Sequence, residues 1–360
     1  MHNANETILE VNLNKLEHNY KYLSSKLNKN SKIIAVVKAF GYGHGDIPIA
    51  KKLEKLGIYA FWVADYEEGI RLREHGIKSK IIIANPGWKS YNEIIKYGLE
   101  VVIHNDRLLD FYLSKNKPIN IHLKFNTGMN RYGFEEEDVI KILEKLKKNT
   151  FLNLKSVCSH LSSANDDMQK EVSLKQISLF EKLSKKLEGE LKTKLDKHIL
   201  NSNGLMNFPN KQFDMVRLGI SLYGSLKDKN LQQISRLISV ISQNRNIRKG
   251  ESVGYNPSFI APNNMNISVI PVGYADGLNR KLGNGVGQVI VKGEKCTIIG
   301  QICMDSFIID TSRINCKEGD IIEIFGQKNS ILKLSEQIDT IPYEVYSTLN
   351  RRIKRVYIDS

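Results

Sequence analysis

Four basic side chains lie at or near the ends of apolar, strand-like segments such as IIAVV (33–37). In chain order they are Lys38, Lys124, His160 and Arg217. A charge that is buried without a partner costs several kcal/mol, so strand ends rarely carry such residues by chance. One such residue alone would be as compatible with a structural role as with a chemical one. Together they favour a shared catalytic or binding site.

Two short segments near the last of these residues could bind a phosphate group. They are NSNG (201–204) and RLGIS (217–221). Ser202 offers a hydroxyl group next to Asn201, and Gly219 and Ile220 offer backbone N–H groups that a phosphate oxygen can approach closely. A phosphate site combined with a lysine at a strand end indicates pyridoxal phosphate, held by Lys38 as a Schiff base.

The first two thirds of the chain alternate short β-branched runs with amphipathic helical patterns. Each run of four to seven residues suits a strand buried on both faces. Eight strand–helix units in about 220 residues predict a (β/α)8 TIM barrel, whose active site would lie at the carboxyl ends of the strands. A doubly wound open sheet is the structural alternative. The predicted strands are Lys32–Lys38, Tyr59–Ala64, Lys80–Ala84, Glu100–Ile103, Ile119–Phe125, Leu154–His160, Lys197–Asn201 and Asp214–Arg217.

The pattern changes after about residue 230. Long helical patterns end, and strand-like runs such as NISVIPV and DIIEIF alternate with turns such as KGES and KEGD. We therefore predict an N-terminal strand within residues 1–10 that joins the C-terminal domain, a barrel over residues 11–230, and an all-β domain over residues 231–360.

Composition narrows the function classes. The 360 residues carry a formal net charge of +14, but acidic residues interleave with the lysines on predicted helix faces, which argues against a nucleic-acid partner. The four cysteines show neither metal-ligand nor disulfide spacing, so no metal is predicted. No apolar run is long enough to span a membrane and no signal peptide is visible, so we expect a cytoplasmic location without a membrane partner.

Ordered motifs along almost the whole chain resemble those of the alanine racemase family. The lysine segment and the pair GYADG and CMD are the most specific of them. The motifs are AVVKAFGYGHG (35–45), KFNTGMNRYGF (124–134), SHLSSA (159–164), NSNG (201–204), MVRLGISLYG (215–224), KGESVGYN (249–256), VGYADGLNR (272–280), GQICMD (300–305) and PYEV (342–345).

The resemblance implies a role for each matched barrel residue. Lys38 would hold the cofactor and act as one catalytic base. Arg217 would pair with the pyridine nitrogen, supported by His160. Because a guanidinium group keeps its proton, the ring nitrogen would stay unprotonated, which favours racemisation over transamination. Lys124 corresponds to a lysine that is carbamylated in some members. The remaining matches are phosphate contacts at Tyr42, Ser202, Gly219 and Ile220, with Asn201 beside them, and a substrate contact at Arg131.

The resemblance also implies a second base from the C-terminal domain. Racemisation removes a proton from one face of Cα and returns it to the other, and one residue does not easily reach both faces. The motif SVGYN assigns this base to Tyr255, while Tyr274, Cys303 and Met304 would line the substrate end of the pocket. In the family the residues that match Tyr255 and Met304 reach the partner's cofactor, so a head-to-tail homodimer with shared active sites is implied.

The implied activity is interconversion of L- and D-alanine, which would supply D-alanine for peptidoglycan. Departures from the family pattern at Phe40, Asn126, Asn130 and Arg351 keep a broader amino-acid racemase open. A decarboxylase of the same barrel type also stays open, although such enzymes usually offer an acid to the ring nitrogen. So does a monomeric pyridoxal-phosphate carrier, although that class has a barrel alone.

Overall fold

The computed structural model describes residues 5–359, which fall into two compact units. The barrel unit comprises Asn19–Ala39 and Asp46–Leu222. The β-unit comprises the described residues up to His18, Phe40–Gly45 and those from Tyr223 onward. Residues 1–4 of the predicted N-terminal segment and residue 360 of the predicted β-domain lie outside the described residues.

Eight parallel strands form the sheet of the barrel unit. The sheet is nearly closed, because Asp214 N–H donates to Lys197 C=O at 3.2 Å and Arg217 N–H donates to Leu200 C=O at 3.0 Å. The predicted barrel is confirmed. Strand β1 (Ile8–Asn12) belongs to the β-unit. The strands of the barrel unit are β2 (Lys32–Val36), β3 (Ala60–Val63), β4 (Lys80–Ile83), β5 (Glu100–Ile103), β6 (Ile119–Lys124), β7 (Leu152–Cys158), β8 (Asp196–His198) and β9 (Met215–Leu218). Their order in the sheet is β8-β7-β6-β5-β4-β3-β2-β9.

Helices connect these strands, and several begin at side-chain caps. Asp65 and Asn105 accept the Glu68 and Leu108 N–H groups at the starts of their helices. The helix over Val139–Lys147 buries an apolar stripe of Val139, Ile142 and Leu143. The helices are α1 (Leu13–Ser25), α2 (Lys38–Tyr42), α3 (Asp46–Lys55), α4 (Tyr66–Glu74), α5 (Tyr91–Lys96), α6 (Asp106–Ser114), α7 (Val139–Lys147), α8 (Lys170–Leu191) and α9 (Ser202–Asn207).

Seven of the eight predicted strand ends differ from the structure by one to three residues, and the largest difference is the strand predicted to end at Asn201, which ends at His198. Lys38 opens α2 two residues after β2 ends, and His160 lies two residues beyond β7. Arg217 lies within β9 rather than at its end, which is Leu218. Pairing extends one residue past each of β2 and β7, because Val37 N–H donates to the Trp62 carbonyl at 3.1 Å and Ser159 N–H donates to the His198 carbonyl at 3.2 Å. The end of a strand depends on this pairing with its neighbours, which the sequence pattern does not show.

The β-unit contains a nine-stranded sheet and a two-stranded hairpin. Besides β1, its strands are β10 (Ser235–Val240), β11 (Gln243–Ile247), β12 (Ser252–Val253), β13 (Phe259–Ile260), β14 (Met265–Ile270), β15 (Gln288–Val291), β16 (Glu294–Ile299), β17 (Phe307–Asp310), β18 (Ile321–Phe325) and β19 (Lys354–Ile358). The order in the large sheet is β11-β14-β17-β16-β15-β18-β10-β1-β19, and β12 and β13 form the hairpin. Strand β1 lies antiparallel to β10 and parallel to β19. The strand-rich second domain is confirmed, with two short helices, α10 (Ile331–Gln337) and α11 (Pro342–Ser347), inserted before its last strand.

Within residues 5–359, no helix combines the length and the apolar character needed to cross a membrane.

Candidate active site

Lys38 begins a short turn with unusual backbone geometry. The φ angles of the next four residues are 53° at Ala39, 57° at Phe40, 59° at Gly41 and 49° at Tyr42, all in the left-handed region. Non-glycine residues in this region cost about 1–2 kcal/mol each. Such strain persists where the surrounding structure enforces it, and it is concentrated at functional sites.

Burial and neighbouring cations lower the pKa of Lys38. Desolvation is the largest cause, Arg131 and Arg217 add to it, and only Glu68 acts in the opposite direction. The Glu68 carboxylate is held in place, since it accepts the Ala39 N–H at 2.6 Å and the Ala64 N–H at 2.7 Å. A lysine with a lowered pKa is more often an uncharged amine, which is the form that attacks a carbonyl carbon or takes up a proton.

Arg217 is buried and held by several acceptors. Its Nη2 group donates to the Ser159 carbonyl, to His160 Nδ1 at 3.1 Å and to the Ile199 carbonyl at 3.3 Å. Its Nη1 group donates to His198 Nδ1 and to the His198 carbonyl at 3.2 Å. The Trp62 ring lies 5.2 Å from the guanidinium carbon. The guanidinium orientation is therefore fixed by the ends of β7 and β8.

Two further basic residues extend this cluster. Burial, followed by Arg217, Lys124 and other cations, lowers the pKa of His160 well below its ordinary value, so its ring is neutral. Burial is also the main cause that lowers the pKa of Lys124 to about 8. The Lys124 ammonium group lies 5.5 Å from the centre of the Tyr132 ring. The cluster is thus electropositive and partly dehydrated, which suits an anionic ligand.

Arg131 lies in a loop that two asparagines organise. Asn126 Nδ2 donates to Asn130 Oδ1 at 2.9 Å, and Asn126 Oδ1 accepts the Asn130 N–H at 3.0 Å. Gly133 has a φ of 134°, and a Cβ there would lie 2.3 Å from Asn126 N. Two of the departures from the family pattern therefore bind each other and shape the loop that carries Arg131.

Hydroxyl and N–H donors meet where the phosphate site was predicted. Gly219 N–H and Ser221 N–H donate to Ser202 Oγ at 3.1 and 3.3 Å, and Ser221 Oγ lies 2.8 Å from Ser202 Oγ. Asn201 caps α9 by accepting Gly204 N–H at 2.8 Å, and Ile220 is fully buried beside these groups. Converging donors of this kind match a phosphate oxygen.

In the β-unit, Tyr42 packs among aromatic rings. Its ring centre lies 5.1 Å from that of Tyr223 and 5.6 Å from that of Tyr343. Two other departures also meet in this unit, since the Arg351 guanidinium lies 4.7 Å from the centre of the Phe40 ring.

The predicted β-domain residues lie on adjoining loops of the β-unit. Tyr274 N–H donates to the Cys303 carbonyl at 3.0 Å, and a Cβ at Gly273 would lie 2.1 Å from the Met304 carbonyl, so only glycine allows this approach. Tyr255 lies in the β12-β13 hairpin. Three of these side chains are largely exposed: Tyr255 at 67 %, Tyr274 at 42 % and Met304 at 54 %.

The structure thus brings Lys38, Lys124, His160 and Arg217 together in the barrel unit, and it brings Tyr274, Cys303 and Met304 together in the β-unit. Sequence reasoning missed the residues that hold Arg217, above all His198. A signal for it was present, because the short segment DKHIL places this histidine directly before an apolar pair, Ile199 and Leu200.

Comparison with known proteins agrees with this architecture. Residues 11–227 match the family described as "Alanine racemase, N-terminal domain", and residues 234–357 match "Alanine racemase, C-terminal domain". The chain is 35% identical to alanine racemase 1 of Caldanaerobacter subterraneus subsp. tengcongensis, over 98% of this chain and 94% of that protein.

Two solved structures are similar over nearly the full length. An alanine racemase of Clostridium difficile 630 has a TM-score of 0.92 and 30% identity, covering 99% of this chain and 96% of that one. An alanine racemase of Bartonella henselae with covalently bound pyridoxal phosphate has a TM-score of 0.88 and 27% identity, covering 98% and 99% of the two chains. The barrel, the β-domain, the matching family model and the similar curated protein together define the class of this protein. It is an amino-acid racemase, which is an isomerase. The chain belongs to the alanine racemase family.

Proposed function

We propose that this enzyme interconverts L- and D-alanine with pyridoxal phosphate as its cofactor and two catalytic bases. The observation that supports this most directly is the half-buried Lys38 amine, whose pKa is lowered by desolvation and by the neighbouring cations Arg131 and Arg217. The names of its relatives and the pyridoxal phosphate of the Bartonella henselae structure support the same conclusion.

The donor set of the barrel unit fits pyridoxal phosphate. Ser202, Gly219 and Ile220 offer hydroxyl and N–H groups for the phosphate, next to Asn201, and the resemblance adds Tyr42. Arg217 offers guanidinium donors for the pyridine nitrogen, with His160 packed beside it. Lys38 offers the amine that would hold the cofactor covalently. When bound, the cofactor would withdraw electrons from the substrate and so acidify its Cα–H bond.

Proton transfer at Cα would use one base on each face. The Lys38 amine would hold or release the proton on one face, and the Tyr255 hydroxyl would do so on the other. Tyr255, Tyr274 and Met304 are exposed in the single chain. We propose that they complete the barrel site of a second copy, so that the enzyme is a homodimer with shared active sites.

The substrate end of the site would be small. Arg131 would bind the substrate carboxylate, as guanidinium groups commonly do. Tyr274, Cys303 and Met304 would limit the space beside the substrate side chain. A methyl group would therefore be accepted more readily than a longer side chain.

Lys124 is proposed as a carbamylated residue. Carbon dioxide reacts with a neutral amine, which forms an N–C bond and releases a proton. Because the pKa of Lys124 is about 8, the neutral form prevails only above that pH. We expect a carbamate signal in carbon-13 NMR after addition of labelled bicarbonate, rising as the pH is raised through about 8 and absent in Lys124→Arg. An unchanged spectrum across this range would leave Lys124 as an ordinary lysine.

The primary test is circular dichroism of L-alanine with purified protein and pyridoxal phosphate. We expect the signal to decay to zero without loss of alanine. A constant signal from folded, cofactor-loaded protein would reject alanine as substrate, and serine and lysine would be tried next. Loss of the amino acid with release of carbon dioxide would instead support a decarboxylase.

Three sequence predictions remain proposals. They are the supply of D-alanine for peptidoglycan, a cytoplasmic location, and the boundaries that assign residues 1–10 and 231–360 to the β-domain and residues 11–230 to the barrel.

A further inference from the structure

Five polar side chains form a continuous hydrogen-bonded chain inside the barrel. They lie on five consecutive strands, from β5 to β9: Glu100, His122, Ser156, His198 and Arg217. Glu100 Oε2 lies 2.9 Å from His122 Nε2, and His122 Nδ1 lies 2.6 Å from Ser156 Oγ. Ser156 Oγ lies 3.1 Å from His198 Nε2, and His198 Nδ1 contacts Arg217 Nη1.

The interior of such a barrel is usually filled by aliphatic side chains. Here all five residues are between 0 and 7 % exposed. A buried carboxylate and a buried guanidinium each carry a large desolvation cost that a structural filling residue would avoid. The two charged groups lie at opposite ends of this row of side chains, and two imidazole rings and a hydroxyl group connect them.

The direction of each hydrogen bond follows from the two ends. Arginine can only donate, so His198 Nδ1 accepts from Arg217 and carries no proton. Burial lowers the pKa of His198 well below its ordinary value, so the ring is neutral and its proton lies on Nε2. His198 Nε2 therefore donates to Ser156 Oγ. An ionised carboxylate can only accept, so His122 donates from Nε2 to Glu100.

One arrangement then satisfies every group. The Ser156 hydroxyl donates to His122 Nδ1, and all four hydrogen bonds point the same way, from Arg217 towards Glu100. Hydrogen bonds aligned in this way polarise one another, so a charge at one end strengthens the acceptor at the other.

We propose that Glu100 is a positioning residue for Arg217, acting through His122, Ser156 and His198. The Glu100 charge makes His198 Nδ1 a stronger acceptor, and this holds the Arg217 guanidinium group in one orientation through its Nη1 group. The catalytic part of this inference rests on the proposed function, in which Arg217 serves the pyridine nitrogen.

Glu100→Gln removes the charge but keeps an oxygen that can accept from His122. We expect the guanidinium hydrogens of Arg217 to exchange with solvent about tenfold faster in nitrogen-15 NMR of arginine-labelled protein, with and without pyridoxal phosphate. We also expect kcat for alanine to fall about tenfold while KM changes less than about twofold, because Arg217 would not bind the substrate carboxylate.

Asn120→Ala is the matched control. Asn120 donates to the other Glu100 oxygen at 2.9 Å but is not one of the five hydrogen-bonded residues between Glu100 and Arg217. The hydrogen-exchange rate of the Arg217 guanidinium group and kcat should therefore stay within about twofold of the parent protein. Ser156→Ala interrupts the chain between the two imidazoles and should reproduce the effects of Glu100→Gln. It replaces that variant if Glu100→Gln does not fold.

Two results would overturn the inference. One is a folded Glu100→Gln or Ser156→Ala protein with parental exchange at Arg217 and parental kcat. The other is an equal effect of Asn120→Ala, which would show a general loss of stability. Failure of the parent protein to racemise alanine would reject the proposed function instead, while the exchange measurement would still test whether Glu100 holds Arg217.

Discussion

Lys38→Ala is expected to lower racemase activity by about 10⁴-fold, the upper range for loss of a positioned acid–base group. The variant also loses the amine that would hold the cofactor covalently. Borohydride reduction followed by peptide mass spectrometry should therefore find the cofactor attached to the Lys38 peptide in the parent protein and absent from the variant.

The exposed Lys51 on α3 supplies a control for this measurement. Lys51→Ala should keep both the covalent adduct and the activity. If the adduct of the parent protein formed at another lysine, or if Lys38→Ala kept substantial activity while folded, the assignment of Lys38 would be wrong.

Tyr255→Phe is expected to keep the covalent cofactor and to lower the racemisation rate by about 10³-fold, because the ring remains but the proton donor and acceptor is removed. Lys38 would still serve one face of Cα. In deuterated water the variant should therefore exchange the Cα hydrogen of one alanine enantiomer without inverting it, which proton NMR and chiral chromatography can measure together.

Tyr97→Phe removes a surface hydroxyl that donates to Glu74 and should leave both rates unchanged. Full racemase activity in Tyr255→Phe would contradict the two-base assignment. Equal loss of exchange for both enantiomers would point to a collapsed site and not to a missing second base.

A mixture of the Lys38→Ala and Tyr255→Phe chains tests the shared sites. If each site takes Lys38 from one copy and Tyr255 from the other, a mixed dimer has one intact site. Random re-association should then restore about a quarter of the parental activity. No recovery after verified exchange of subunits would contradict the proposed sharing.

Local sequence determined most of the barrel and singled out Lys38 as the candidate cofactor lysine. Runs such as IIAV and KIII can only be buried on both faces, so their length and spacing specify parallel strands covered by helices. Glu100–Ile103 was predicted to the residue. The sequence singled out four basic residues beside apolar runs, because burying a charge without a partner costs free energy. They are Lys38, Lys124, His160 and Arg217.

The tertiary structure decided the pKa shifts of the site residues and which side chains contact each other. The left-handed turn after Lys38 includes Ala39 and Phe40, whose types do not favour it, so no local propensity predicts it. The lowered pKa values of Lys38 and Lys124 arise mainly from burial. The contacts between Arg217 and His198, and between Tyr274 and Cys303, join residues that lie far apart along the sequence. Periodicity tells which face of a strand is buried, but which side chains meet there is set by strand order and register.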